Sequence, residues 1–168
     1  MLVFSEYQTD TIDLALDFYG YEDCPKNYEF GPSVRDNFVL HFITKGKGVF
    51  HFNKKEIHLE AGDLFLLPKN KVTYYKADEE EPWSYYWIGI SGTKVSDFMR
   101  FSTLHEKGFL KKTEVETEKI GQFMEQLVHK AEASKMTSHY QLHLLSQIYE
   151  LLYLIGEVAP NVQKSYLS

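Results

Sequence analysis

The stretch that decides the fold is Gly62–Thr73, GDLFLLPKNKVT, in which a short apolar run lies between two turn signals. Gly62 and Asp63 precede the run, and Pro68-Lys-Asn70 follows it. A run of this length, bounded by Gly, Pro and Asn, is typical of a buried β-strand and is too short for a helix. A second run, Val72-Thr-Tyr-Tyr75, begins directly afterwards. The stretch therefore predicts two strands joined by a tight turn.

The same alternation of short strands and turns continues on both sides of this stretch as far as Gly92. The runs before it are Phe38–Ile43, Val49–Phe52 and Ile57–Leu59, and the run after it is Trp83–Ile90. Regularly spaced short strands with Gly, Asn and Pro turns are typical of an antiparallel sandwich or barrel. We therefore expect a mainly β domain over residues 1–92.

After Gly92 the spacing of apolar residues changes to that of helices. Residues 93–102 suit a short helix, and a longer one is predicted from Glu114 onward. Its apolar positions follow i, i+3, i+4, i+7 spacing: Ile120, Phe123, Met124, Leu127, Val128 and Ala131. A second long helix is predicted over 139–158, ending before Pro160. Residues 93–168 are therefore predicted to form a C-terminal α-helical hairpin.

The second long helix carries two apolar rows, which is more than one packing surface requires. The first row is Leu142, Leu145, Tyr149 and Leu152. The second row is Leu144, Leu151, Leu154 and Val158. Either the helix lies between the barrel and the first long helix, or one row pairs with a second copy. We expect the second row to form the interface of a homodimer.

Charge and cysteine content exclude several classes of protein. The net charge of −6 argues against direct binding of nucleic acid, which favours basic surfaces. The single cysteine, Cys24, rules out an intrachain disulfide framework and fits a reducing compartment. The N-terminus lacks a basic leader, and no apolar run approaches the ~18 residues of a membrane span. We expect a cytoplasmic protein without a membrane segment.

Four residues of the opening stretch resemble the second motif of cupin barrels, Gly-x5-Pro-x-Gly-x2-His, whose His binds a metal. The corresponding residues here are Gly62, Pro68, Asn70 and Thr73. Asn70 tolerates positive φ much as Gly does, whereas the Thr73 hydroxyl is a poor ligand for a transition metal. The His-x-His of the first cupin motif is also missing before Gly46. We therefore expect a cupin-like (double-stranded β-helix) barrel with no metal, no other cofactor and no catalytic residues.

A larger block resembles the N-terminal effector domain of arabinose-regulator (AraC/XylS) family proteins, and within that family the Gram-positive regulators of raffinose, melibiose and multiple-sugar metabolism. The block comprises Arg35-Asp36-x-Phe38-x-Leu40-His41, Gly46-x-Gly48, Ala61-Gly62-Asp63, Pro68, Tyr74-Tyr75-x-Ala77-Asp78, Pro82-Trp83-x-Tyr85-x-Trp87 and Gly92. The resemblance implies that the barrel binds a sugar and that the helices form a homodimer. It also implies that DNA is bound by a C-terminal helix-turn-helix domain, which is absent from this chain.

Alternation along Trp83-Ser-Tyr-Tyr-Trp87 places Trp83, Tyr85 and Trp87 on one face of a strand. If that face is internal, indole rings can cover the apolar face of a pyranose while phenol groups bond its hydroxyls. The family resemblance places Tyr74, Tyr85 and Trp87 in contact with the sugar. The alternative is that these rings are simply barrel core.

Two polar residues are further candidates for ligand binding. Arg35 can donate a forked pair of hydrogen bonds to neighbouring hydroxyls, or else pair with an acid such as Asp36. His41 shares its side of a strand with Val39 and Ile43, so we expect it to point inward. A hydrogen-bonded core histidine is the alternative.

These patterns together predict the effector-binding and dimerisation part of a transcription regulator of carbohydrate metabolism. In this hypothesis sugar binding orders an N-terminal arm, residues 1–34, over the barrel and biases the DNA-binding state of the dimer. Two alternatives remain. One is a metal-free, isomerase-like cupin enzyme, which needs a paired base and acid inside the barrel, such as His41 with a buried Glu, and which a carboxylate facing His41 would favour. The other is a dimerisation module whose barrel is filled and binds no ligand.

Overall fold

The computed structural model describes residues 2–6, 12–134 and 137–162, with the backbone alone for residues 2–6. Its strands are β1 (Leu2–Glu6), β2 (Ala15–Asp23), β3 (Glu29–Ser33), β4 (Phe38–Lys45), β5 (Lys47–Phe52), β6 (Lys55–Glu60), β7 (Leu64–Leu67), β8 (Thr73–Ala77), β9 (Ser84–Ser91) and β10 (Phe109–Leu110). Its helices are α1 (Val95–Met99), α2 (Leu104–Lys107), α3 (Thr117–Ser134) and α4 (Tyr140–Val158).

The strands form two antiparallel sheets that enclose one apolar interior. The six-stranded sheet has the order β1-β2-β9-β4-β7-β10, and the four-stranded sheet has the order β3-β8-β5-β6. Both sheets contribute side chains to the interior, among them Ile43 and Phe65 from the first and Phe50 and Tyr75 from the second. The turn after β7 forms as predicted, because Asn70 adopts the positive φ of 62° that the cupin motif gives to glycine.

The helices cover the outer face of the six-stranded sheet. In α3 the predicted apolar positions Ile120, Met124, Leu127 and Val128 are buried against outward-facing residues of the sheet. Gly121 brings this helix close to the sheet, since a side chain there would clash with the ring of Phe42. The six-stranded sheet is therefore covered on both faces, by the barrel interior and by the helices. Among the helices of the described residues, none is long and apolar enough to cross a membrane.

The prediction that residues 1–34 form an arm is wrong for much of that segment, which contains strands of both sheets. Strand β2 lies between β1 and β9 in the six-stranded sheet, and β3 is an edge strand of the other sheet. Alternation of apolar and polar residues does not reveal strand β2, because its register shifts between Leu16 and Phe18 and because both of its faces are covered. Residues 7–11 of the expected arm lie outside the described residues.

The expected dimer row of α4 also requires correction. Leu144 and Leu151 are only 1% and 2% exposed in the single chain, and Leu154 and Val158 pack against the same core. Ile148 and Ile155 belong to this row and complete a buried stripe at helical spacing. The four residues predicted to form the interface therefore contact the protein's own core.

The other apolar row of α4 faces outward. Leu142 is 75% exposed, Tyr149 is 46% exposed and the neighbouring Tyr153 is 61% exposed. Burial of the two rows is thus largely the reverse of that expected from the sequence, although Leu152 of the outward row also packs against the core.

Candidate functional site

One end of the barrel interior contains a cavity of about 150 Å³. Residues from both sheets and from the connecting loops line it: Phe18, Glu22, Tyr28, Phe30, Arg35, Val39, His41, Leu67, Tyr75, Tyr85 and Trp87. An apolar cavity of about this volume is known to hold benzene. The space is therefore suited to a single six-membered ring.

Two polar atoms in the wall of this cavity are buried without a hydrogen-bond partner among the residues that the structure describes. They are Nε of Arg35 and Nδ1 of His41. Buried polar atoms are paired in the great majority of native structures, because leaving one unpaired costs about 1–3 kcal/mol. The pair therefore indicates a site that a polar ligand completes.

Arg35 is held at the cavity by its backbone and by two aromatic rings. The backbone N–H of Asn70 donates to the Arg35 carbonyl oxygen at 2.7 Å. The guanidinium carbon lies 5.3 Å from the centroid of the Phe18 ring and 5.7 Å from that of Phe30, within the range of cation–π contact. The structure shows no ion pair between Arg35 and Asp36 within the described residues. The guanidinium is therefore positioned at the cavity, with its Nε lacking a hydrogen-bond partner among the described residues.

His41 points into the barrel as predicted and is 2% exposed. Its ring stacks on Phe65 at 4.3 Å and 6°, and it lies edge-on to Tyr85 at 4.9 Å. Burial, reinforced by the positive charge of Arg35, lowers the pKa of His41 to about 3. The imidazole is therefore neutral near pH 7, with one nitrogen able to donate and the other able to accept.

The aromatic residues of β9 follow the predicted alternation. Trp83 is fully buried and stacks on Phe65 at 5.2 Å, so it forms barrel core beneath the cavity and does not line it. Tyr85 and Trp87 line the cavity, with their rings edge-to-face at 5.8 Å and 81°. Burial raises the pKa of Tyr85, which keeps its phenol protonated. The structure thus brings Arg35, His41, Tyr85 and Trp87 to one cavity.

Tyr74 does not join them. In β8 the buried residues are Thr73, Tyr75 and Ala77, so Tyr74 points away from the interior. Its hydroxyl donates to a carboxylate oxygen of Glu29 on the adjacent strand. The prediction that Tyr74 contacts the ligand places it on the wrong side of the barrel. Tyr75 occupies the inward position, as alternation from Thr73 indicates.

Several cavity residues come from the region that was predicted to be an arm. Phe18 and Glu22 lie on β2, Phe30 lies on β3 and Tyr28 precedes β3. Even spacing between Phe18 and Glu22 is the signal that places both on one face of a strand. Glu22 is half-buried, and burial raises its pKa. Sequence reasoning missed the cavity's one carboxylate among the residues that line it.

The position of the cupin metal ligand is occupied by the buried Thr73. Within residues 12–134 and 137–162, no three His, Cys, Asp or Glu side chains come together as metal ligands would. The absence of a bound metal in solution remains a prediction.

Comparison with known proteins identifies the family. The AraC-like ligand binding domain matches residues 15–152. The chain belongs to this family. It is 37% identical over 158 residues to the Msm operon regulatory protein of Streptococcus mutans, covering 94% of this chain and 56% of that protein.

Two further relatives are named as regulators of sugar operons. The raffinose operon transcriptional regulatory protein RafR of Pediococcus pentosaceus is 41% identical over 100 residues, covering 58% of this chain and 36% of its own length. The lactose operon transcription activator of Staphylococcus xylosus is 27% identical over 162 residues, covering 96% and 57%. The chain thus spans between about one third and just over half the length of these curated relatives.

Two solved structures show a partial likeness to this chain. The protein YhaK from Escherichia coli has a TM-score of 0.48 and 13% identity, covering 56% of this chain and 46% of that one. The Cnp3 cupin domain of Schizosaccharomyces pombe has a TM-score of 0.44 and 15% identity, covering 57% and 68%. The expected mainly β fold followed by C-terminal helices is confirmed by the strands, sheets and helices of the chain itself.

Proposed function

We propose that this chain is the effector-binding and dimerisation part of a transcription regulator of carbohydrate metabolism, and that its effector is a sugar. The observation that carries the proposal is the cavity in which Nε of Arg35 and Nδ1 of His41 are buried without partners. The family match and the sugar operons in the names of the relatives support the same function.

The chemistry of the cavity suits one sugar ring. The indole of Trp87 and the ring of Phe18 offer apolar surfaces for the C–H face of a pyranose. Arg35 donates to neighbouring hydroxyls, and Nδ1 of neutral His41 is open to a ligand hydroxyl, while a hydrogen bond to the Val39 backbone already engages the imidazole ring. The volume of about 150 Å³ holds one ring and leaves further rings of an oligosaccharide outside it.

The two alternatives are less well supported. An isomerase-like enzyme needs a base, and burial with the charge of Arg35 lowers the pKa of His41 to about 3, which makes it a weak base. Glu22 lines the same cavity, but it does not contribute to the pKa of His41. A ligand-free module would have a filled barrel, whereas this one contains a cavity.

Isothermal titration calorimetry on the 168-residue chain tests the proposal. The panel contains raffinose and lactose, after the operon names of two relatives, together with melibiose, galactose and arabinose. We expect at least one sugar to bind with one site per chain. Arg35→Met keeps an unbranched, flexible side chain without its donors, and we expect it to abolish measurable binding. A panel without any binding sugar contradicts the proposal.

We also propose that the chain forms a homodimer through the outward row of α4. Leu142, Leu145, Tyr149, Leu152 and Gly156 alternate in spacing of three and four residues, which is the seam of a coiled coil. Phe98 and Phe101 extend this surface beside Gly156 in a groove of about 310 Å³. A two-fold axis buries the same row on both copies at once. A second copy of this chain therefore fits the surface.

Sedimentation velocity tests the dimer. Leu142→Glu places like charges in the seam, and we expect it to give folded monomers at micromolar concentration. His143→Glu adds the same charge at an exposed position that does not share a helix face with Leu142, and should leave the dimer intact. A wild-type monomer, or a Leu142→Glu variant that remains dimeric, contradicts this interface.

DNA binding is assigned to a part of the regulator outside this chain. The net charge of −6 supports this assignment. Fluorescence anisotropy with labelled duplex DNA should show no binding by the 168-residue chain at physiological salt. Saturable, sequence-specific binding would contradict it.

A further inference from the structure

The cavity contains one acidic side chain, Glu22, among the residues that line it. Glu22 lies on β2 directly opposite Tyr85 of β9. The negative charge of Glu22 reaches three neighbouring groups, because it contributes to the raised pKa of Tyr28, of Cys24 and of Tyr85 in each case after burial. Burial raises the pKa of Glu22 and the positive N-terminus lowers it, and no side chain among the described residues forms a hydrogen bond or ion pair with its carboxylate. The carboxylate of Glu22 and the guanidinium of Arg35 therefore line the same cavity.

The cavity thus contains a charged donor and a charged acceptor. Arg35 is a donor only, whereas Glu22 is an acceptor only when it is ionised. Arg35 and Glu22 do not form a salt bridge with each other within the described residues. A ligand in the cavity therefore meets both kinds of hydrogen-bonding group.

Neutral and anionic sugars need different partners. Every hydroxyl of a sugar both donates and accepts, so a complete site for a neutral sugar must contain acceptors as well as donors. A carboxylate or phosphate group accepts only, and it is satisfied by Arg alone. If Arg35 were the only charged group of the cavity, a sugar acid or sugar phosphate would be the favoured ligand. Glu22 changes that preference, because a second negative charge in a small, poorly hydrated cavity is unfavourable.

We propose that Glu22 restricts this cavity to neutral sugars, by accepting hydrogen bonds from ligand hydroxyls and by repelling sugar acids and sugar phosphates. The inference rests on the proposed sugar-binding function and adds to it the charge class of the ligand. It makes Glu22 the residue that determines specificity, while Arg35 contributes to affinity.

The test compares matched neutral and anionic sugars on two charge variants. The probes are the tightest-binding neutral sugar of the panel above, galactose paired with galacturonate, and glucose paired with glucose 6-phosphate. Glu22→Gln removes the charge and keeps the shape of the side chain. Glu79→Gln removes the same charge from the exposed acidic loop and serves as the control. Calorimetry measures each affinity, and circular dichroism checks that each variant is folded.

We expect the wild-type chain to bind the neutral sugar and not its anionic partner. Glu22→Gln should weaken binding of the neutral sugar by about tenfold to a hundredfold, because a hydrogen bond to a charged group is lost. It should also gain measurable affinity for the anionic partner, a change that damage to the fold would not produce. Glu79→Gln should behave as the wild type does.

Three results would overturn the inference. Wild-type preference for the anionic member of a pair contradicts the charge class. A neutral sugar that binds Glu22→Gln as tightly as the wild type contradicts the role of Glu22 and leaves the proposed sugar-binding function standing. Absence of binding by every probe overturns the proposed function itself. If Glu22→Gln fails to fold, Glu22→Asp replaces it, with weakened neutral binding and retained rejection of anions as the expected result.

Discussion

The two faces of the six-stranded sheet are both rich in aromatic residues, yet they differ in how their polar atoms are satisfied. On the outer face, the Tyr86 hydroxyl lies 3.0 Å from Nε2 of His129, and the Tyr19 hydroxyl donates to Glu132 at 2.9 Å. Both partners belong to α3. On the inner side, Nε of Arg35 and Nδ1 of His41 have no partner.

We therefore expect residues on the outer face to contribute to stability and residues at the cavity to contribute to ligand binding. The outer face is completed by the protein's own helices, so its apolar and polar groups serve stability. The inner face leaves buried polar atoms at a cavity, which costs stability unless a ligand supplies the missing hydrogen bonds. Substitutions on the two faces should therefore change different measured quantities.

The largest expected effect is on the outer face. Leu151→Ala removes a fully packed side chain from the core beneath α4 and should lower the free energy of unfolding by about 2–5 kcal/mol. Urea denaturation measures this, with Val72→Ala at an exposed loop position as a control that should change it by less than about 0.5 kcal/mol. The Leu151→Ala chain that remains folded should bind sugar normally. A decrease in the free energy of unfolding below about 1 kcal/mol would contradict the burial of Leu151 in the core and favour its assignment to the dimer interface.

The second effect is on the inner face and appears in affinity. Trp87→Ala removes the stacking surface for the sugar, and we expect a loss of about 2–3 kcal/mol, or roughly 30–150-fold in affinity. Tyr74→Ala is the matched control, since Tyr74 lies outside the cavity and its loss should leave affinity unchanged. Calorimetry with the tightest-binding sugar measures both. Equal losses in the two variants would show that the inner face has been assigned incorrectly.

A third effect is the pH dependence of stability that His41 introduces. Because its pKa is lowered to about 3 in the folded protein, the unfolded chain takes up a proton below about pH 6.5 while the folded chain does not. Stability should therefore fall by about 2 kcal/mol between pH 7 and pH 5 on account of this residue. His41→Gln should lose that part of the pH dependence in urea denaturation, whereas exposed His58→Gln should retain it. Parallel pH profiles for wild type and His41→Gln would contradict a buried, neutral His41.

The smallest effect returns to the outer face. Tyr86→Phe deletes one hydroxyl whose partner is His129 of α3, and a hydrogen bond of this kind contributes about 0.5–1.5 kcal/mol. We expect that loss of stability in urea denaturation, without any change in sugar affinity. Tyr153→Phe removes a hydroxyl from the exposed side of α4 and should be neutral. An affinity change in Tyr86→Phe would show that the two faces do not act separately.

The sequence predicts best where one face of an element is buried and the other is polar. The strands around Gly62–Thr73, the first long helix and the inward positions of His41, Tyr85 and Trp87 all follow from simple periodicity. Strand β2 could not be recognised in this way, because both faces are covered and a register shift interrupts its alternation. The acidic cavity residue Glu22 was lost together with that strand.

The error in α4 has a different cause. Periodicity identifies two apolar rows but does not say which of them faces the rest of the chain. Ile148 and Ile155 belong to the buried row and make it the more apolar of the two rows. When these two residues are left out, the other row is wrongly expected to face the core. The assignment of Tyr74 to the cavity has a similar cause. The family resemblance points to the adjacent residues Tyr74 and Tyr75, and only the alternation of buried positions along the strand shows which of the two faces the interior.

The most direct test of the central claim is a crystal structure of the chain with the tightest-binding sugar of the panel. We expect one sugar ring in the barrel cavity, lying against Trp87, with ligand oxygens at hydrogen-bond distance, about 2.7–3.2 Å, from Nε of Arg35 and from Nδ1 of His41. A sugar bound elsewhere on the chain, with both nitrogen atoms still unpartnered, would contradict it.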